Sequence, residues 1–251
     1  MQLAFLLALT VAVATLAQDQ IVPSQVDVGV PVAQFGKHRY VAGLKESPNG
    51  PSECGGSLIA PNVVLTAAHC LRLTNAVVVG THNLTGFADG ELANVTQKIR
   101  HPDGLIDVGI LILDRNITTI QPVKVSFEFL PEDVPAWVRG WGTTSSGSKS
   151  PVLKELNVVT WDWKRTLSAV LPKLLLDTEF GARGESLENA CNGDSGGPLT
   201  IEENGTARLV GLFVAHVGCF RLSKPGLYER LSTSRDFIEP YLPKYCKPNL
   251  R

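Results

Sequence analysis

Net charge is nearly missing from this sequence: 23 Lys and Arg stand against 24 Asp and Glu, leaving −1 at pH 7 with histidine neutral. There is no run of Lys or Arg. That balance argues against a nucleic-acid partner held by bulk electrostatics. Low-complexity segments are also lacking. With 44% hydrophobic residues in a chain of 251, general disorder is excluded and one large domain or two small ones can be filled. The one long apolar run, Leu3 to Ala17, carries no charge but falls short of the roughly 20 residues that span a bilayer. No Cys/His cluster has the close spacing of zinc ligands, so no metal and no other cofactor is expected. Cysteine is sparse, five in all, with none between Cys70 and Cys191.

What is present points outside the cell. The Leu3–Ala17 run, with small residues for a cleavage site at Ala12-Val13-Ala14 or Thr15-Leu16-Ala17 within its end, reads as a secretory signal over residues 1–17. Four Asn-X-Thr acceptors follow, at Asn83, Asn94, Asn116 and Asn204. Cysteines in an exported chain suit disulfides. A secreted, extracellular glycoprotein with no membrane partner is expected.

The stretch Asn189 to Leu199 contains Gly193-Asp194-Ser195-Gly196-Gly197. Glycine accepts positive φ and lets another chain approach closely. A serine on so bare a loop presents its Oγ and nearby N–H groups together, which is what covalent attack on a carbonyl requires. Alone, the motif fits a turn equally well. Upstream lie His69, in Thr66-Ala67-Ala68-His69-Cys70, and Asp107, in Ile106-Asp107-Val108-Gly109. A base, an orienting carboxylate and a nucleophile then occur in the order His, Asp, Ser.

From Tyr40 onward the chain shows short β segments broken by Gly, Pro, Asn and Ser: Tyr40–Leu44, Val63–Thr66, Val77–Gly80, Gly109–Leu113, Val138–Gly142, Leu156–Thr160, Leu209–Ala215 and Leu227–Leu231. Glu128–Pro135 reads as a linker. Leu167–Leu176 has a helical, core-packing pattern. Ser234–Tyr241 reads as a short helix, capped by Ser234, with Phe237, Ile238 and Tyr241 facing the core.

These pieces resemble the chymotrypsin/trypsin family of serine proteases. The resemblance rests on Ile21-Val22, Cys54-Gly55-Gly56-Ser57-Leu58-Ile59, Leu65–Cys70, Asp107, Gly140-Trp141-Gly142, the Ser195 loop and Lys224–Tyr228, in the family's order. It implies an all-β fold of two six-stranded antiparallel β-barrels with a short C-terminal helix. It implies a propeptide at 18–20 and a peptidase domain at 21–251, with barrel one near 35–127 and barrel two near 136–232. His69, Asp107 and Ser195 would be catalytic, and the N–H groups of Gly193 and Ser195 would form the oxyanion hole. Cys54–Cys70 and Cys191–Cys219 would be disulfides, leaving Cys246 over. Cleavage of a zymogen would free the Ile21 amine to pair with Asp194.

The resemblance has departures. Pro23-Ser24 replaces two glycines, and Gln20 is not the usual Lys or Arg at the cut. Asn189, His216 and Gly226 would form the substrate pocket. Asn189 stands where a trypsin has aspartate, so a small or neutral P1 residue is expected. Val214 replaces a serine that donates to the triad aspartate, Ala215 a cleft-wall tryptophan, and His216 a glycine at the pocket mouth. Val41–Leu44, Val79–Leu84 and Asp89-Gly90-Glu91 are particularly similar to secreted trypsin-like proteins of oomycetes, a group that includes glucanase inhibitor proteins. Two functions follow: a secreted serine endopeptidase acting on proteins or peptides, or a weak or inactive homologue that binds a host endoglucanase as a virulence effector.

Overall fold

The computed structural model describes residues 30–184, 189–219 and 224–243. Runs such as Val63-Val64-Leu65-Thr66 are buried along their whole length, a pattern that suits a strand covered on both faces. The chain supplies three cores to cover them. One fills the first barrel around Leu58, Val64, Val77 and Leu111. A second fills the other barrel around Val138, Leu156, Phe180 and Tyr228. The third lies between them, where Val63, Leu65 and Ile110 meet Trp141, Leu209 and Leu212.

Barrel one closes from β1 (Val41–Lys45), β2 (Cys54–Ala60), β3 (Val63–Thr66), β4 (Ala76–Val79), β5 (Glu91–Arg100) and β6 (Gly109–Leu113), in the order β1-β2-β3-β6-β5-β4. Then come β7 (Lys124–Val125), β8 (Pro135–Gly140), β9 (Lys154–Thr160), β10 (Glu179–Arg183), β11 (Pro198–Glu203), β12 (Thr206–His216) and β13 (Gly226–Arg230). The ring β11-β8-β9-β10-β13-β12 closes through the β11–β12 pairing, and every pairing in both rings is antiparallel. β7 lies parallel on the outside of β12.

The two ends cross over. Before barrel one, Ala33 donates to Leu153 O and Pro31 O accepts from Glu155, both at 2.9 Å, on barrel two. After barrel two, α2 (Arg235–Ile238), set between the 3-10 turns Leu231–Ser234 and Glu239–Tyr241, returns to barrel one. Its Ile238 is fully buried among Leu65, Val108 and Ile110, and Phe237 meets the His101 ring edge-on at 4.9 Å. Phe237 and Tyr241 are partly buried against the same core, as expected. Ser234 does not cap the helix, because its hydroxyl is buried without a hydrogen-bond partner.

The leucine-rich segment also differs from expectation. Its helix, α1, runs Trp163–Val170, and the Asp162 carboxylate caps it by accepting from the Arg165 N–H. The helix stops ahead of Leu171-Pro172, where the residue before the proline has left the helical region, at φ −49 and ψ 140. Residues 171–176 are therefore not helical. Leu175 is still buried, and Val170 and Leu167 pack in the same cluster.

Candidate active site

His69 and Asp107 meet because β3 and β6 pair. Thr66, the last residue of β3, sits opposite Gly109, the first of β6. The chain leaves β3 into a 3-10 turn, Ala68–Leu73, that carries His69, and the Cys54–Cys70 disulfide ties this turn to β2. Asp107 just precedes β6. Its Oδ2 lies 2.6 Å from His69 Nδ1, and its Oδ1 accepts the His69 main-chain N–H at 2.9 Å. A carboxylate only accepts, so Nδ1 carries the proton and Nε2 is left for chemistry. Burial pushes the Asp107 carboxyl up, but the ring bond, the charge and the main-chain N–H of His69 together outweigh it and hold the acid below its ordinary value.

Ser195 arrives from barrel two on a loop that only glycines can form. Gly193 has φ +101 and Gly196 φ +74, both in the left-handed region. A Cβ on Gly196 would overlap Thr66 Oγ1 and lie 2.6 Å from Gly55 O, and one on Gly55 would lie 2.9 Å from Gly197 Cα. The barrels touch backbone to backbone here. The Gly55 N–H donates to Ser195 O at 2.8 Å, and that oxygen lies 3.6 Å from Cys70 Sγ. Ser195 is thereby fixed to the same disulfide-bridged staple that carries His69.

Lys149, with its ion-pair partner Glu53, sits beside Gly193, and neither was foreseen from the sequence. Lys149 pairs with Glu53 at 2.6 Å and donates to Ser52 O at 3.1 Å. Its Cε sits 3.1 Å from where a Gly193 Cβ would be. Nothing but ordinary surface charge marked these two in the sequence.

Asp194 is buried and accepts the N–H groups of Cys191 at 2.9 Å and Gly142 at 2.8 Å. Gly140 and Gly142 make room for it, since a Cβ at either would overlap the carboxylate. Burial pushes this acid up to about 6, against those two N–H bonds and the field of Lys149. Ile21, its expected partner, lies outside the described residues, as do the signal, the propeptide, Pro23 and Cys246. An acid raised by folding adds stability that is complete below its unfolded value and is lost as pH rises through the folded one. From Asp194 alone, the full-length chain is expected to lose roughly 3 kcal/mol between about pH 4 and pH 7. Thermal melts across that range check this, and Asp194→Asn should flatten the slope.

β12 carries Val214, Ala215 and His216, the residues expected to wall a substrate pocket. Val214 is buried in the cluster that holds Ala68, Leu71, Val170 and Leu227. Ala215, Val217 and Leu167 pack against the same cluster. The α1 segment thus comes to the wall where Ala215 offers little bulk. The Cys191–Cys219 disulfide joins the wall to the Ser195 loop. His216 Nε2 lies 3.0 Å from Asn192 Oδ1, so wall and loop are also bridged by side chains. Burial, with Lys173 adding to it, lowers the His216 pKa. Asn192 was not foreseen, since its role depends on a partner 24 residues away. Asn189 is buried, with Nδ2 donating to Lys224 O at 2.8 Å and Oδ1 accepting from Gly184 at 3.4 Å. The room that Gly226 leaves is lined by Phe213 and the Tyr228 hydroxyl, each 3.1 Å from where a Cβ would stand.

The four acceptor asparagines, Asn83, Asn94, Asn116 and Asn204, are all exposed. Among the described residues, no helix is long and apolar enough to cross a membrane.

Comparison with known proteins fits this geometry. The model of the Trypsin family matches residues 27–238. Glucanase inhibitor protein 2 of Phytophthora sojae is 31% identical over 94% of this chain and 86% of its own length. Glucanase inhibitor protein 2 of Phytophthora infestans is 34% identical over 85% of this chain and 88% of its own. Chymotrypsin-like elastase family member 1 of Canis lupus familiaris is 32% identical over 71% and 77%.

Proposed function

Since the chain belongs to the trypsin family, we propose that it is a secreted serine endopeptidase that cleaves after small or neutral P1 residues. In this reading Ser195 Oγ attacks the scissile carbonyl while His69 Nε2 takes its proton. The oxyanion falls to the Gly193 and Ser195 N–H groups. His69 then protonates the leaving amine, and water repeats the sequence to release the acyl group. Asp107 keeps the proton on Nδ1 and stabilises the imidazolium. The observation that carries the reading is the two-point hold of Asp107 on His69, at 2.6 and 2.9 Å. Asn189 has an uncharged amide, already engaged with the Lys224 carbonyl, so it does not neutralise a P1 Arg or Lys. The buried Asp194 carboxylate is the receiver for an Ile21 amine freed by cleavage, which makes the secreted form a zymogen.

One observation favours a second reading, a secreted binder of a host endoglucanase: the His216–Asn192 bridge between the pocket wall and the nucleophile loop. The relatives named glucanase inhibitors suit it. A fluorophosphonate separates the two. With the Ile21 amine confirmed free, Ser195 is expected to be modified, and Ser195→Ala abolishes the labelling. No modification of the wild type supports the binder. On a fluorogenic peptide panel, Ala and Val at P1 are expected to exceed Arg and Lys, and the reverse order overturns the proposed specificity. His216→Gly removes the bridge and should raise kcat/KM for a bulky P1 such as Phe by about tenfold or more, relative to Ala.

A further inference from the structure

Glu229 lies one residue past the Lys224–Tyr228 motif and belongs to none of the segments that carry the resemblance. It sits in β13 with no exposed surface. Its Oε1 accepts the main-chain N–H of Asp107 at 2.9 Å, so barrel two reaches across to the loop that holds the barrel-one carboxylate. Oε2 has no hydrogen-bond partner. On the elements around it, β10 contributes Glu179 directly opposite and β12 contributes the apolar Leu212. The loop ahead of β6 contributes Asp107, whose own charged neighbours are His69 and Arg100. The charges acting on Glu229, those of Glu179 and Asp107, are both negative. A third buried carboxylate beside two others is disfavoured, whereas a protonated acid still accepts the N–H through its carbonyl oxygen.

Asp107 is thus held at both ends. Its carboxylate is fixed by His69 and its peptide by Glu229, while Val214 offers it no donor. We propose that Glu229 is a positioning residue for the His69–Asp107 pair: as a neutral acid it fixes the Asp107 main chain, and its ionisation places a second negative charge behind Asp107 that raises the proton affinity of His69. This rests on the reading of His69 and Asp107 as the catalytic pair. Burial first, then the charges of Glu179 and Asp107, push the Glu229 acid up to about 7, against the Asp107 N–H. Because both groups act on the Asp107 carboxylate, ionisation of Glu229 and protonation of His69 are coupled.

The test uses the full chain with 15N-labelled histidine, His69 being assigned by the signals that His69→Asn removes. In the wild type, the His69 titration is expected to depart from a single step, because Glu229 ionises behind Asp107. Glu229→Gln keeps an acceptor for the Asp107 N–H and cannot ionise. It should give a single step with a midpoint lower by about one pH unit, the order expected for one charge removed within a protein. Coinciding titrations of wild type and Glu229→Gln overturn the proposal. The rate of fluorophosphonate modification gives the second readout. At pH 6, Glu229→Leu, which leaves the Asp107 N–H unpaired, is expected to fall about tenfold, and Glu229→Gln to stay within about threefold. Equal losses in both variants overturn the positioning role. Should Glu229→Leu not fold, the Glu229→Gln titration still decides. If the reagent modifies no wild-type Ser195, the endopeptidase reading fails, while the titration still judges Glu229.

Discussion

Asp107→Asn is expected to lower kcat on a neutral-P1 peptide by about ten-thousand-fold at neutral pH without unfolding the chain. The size follows from proton bookkeeping at one nitrogen. Asp107 accepts twice from His69, once from the ring and once from the main chain. An asparagine keeps the main-chain bond through its carbonyl oxygen but turns an NH2 toward Nδ1. Nδ1 must then accept, the proton moves to Nε2, and the base that should receive the Ser195 proton is gone. The imidazolium that forms in the transition state also loses its counter-charge. Initial rates on purified wild type and variant, with matching circular dichroism, measure this. A loss of less than tenfold would mean that Asp107 does not set the His69 tautomer.

The second large effect is on stability. Gly196→Ala is expected to cost about 3–5 kcal/mol, the sum of a left-handed backbone for a residue with Cβ and an overpacked contact that cannot relax. At φ +74 the added carbon overlaps Thr66 Oγ1 and comes within 2.6 Å of Gly55 O and 2.9 Å of Ala67 N. Thr66 Oγ1 cannot simply swing away, because it donates to Gly55 O at 2.8 Å inside the core. Gly147 is the control. It has φ +83 but nothing within 4 Å of an added Cβ, so Gly147→Ala carries only the backbone penalty of about 1 kcal/mol. Urea denaturation of both variants resolves the difference. Equal losses would show that the seam between the barrels is looser than drawn.

The motif-bearing residues were legible because their chemistry is local. The glycines around Ser195 announced a bare loop, and β3 and β6 were visible as apolar runs, Val63–Thr66 and Gly109–Leu113. What escaped is what depends on neighbours remote in sequence. β5 is mostly exposed, with Thr96, Gln97 and Lys98 in its middle, and it is a strand because β4 and β6 flank it. β10 is short, buried and interrupted by Gly181, and its partners β9 and β13 define it. The leucines at 174–176 suggested a helix that Pro172 forbids, and the capping aspartate upstream, Asp162, was the better signal. A substituted pocket mouth was readable at His216, but not its partner Asn192. A glutamate in a strand reads as a solvated face, and only the packed structure shows Glu229 sealed behind Asp107.

The crossed ends have a consequence for how the protein comes apart. The segment ahead of barrel one is stitched to β9, and the helix after barrel two is plugged into barrel one. Each half is therefore finished by a piece of the other, like two parcels tied with one another's string. Cutting the linker would not release two independent modules, and heating should give one cooperative transition.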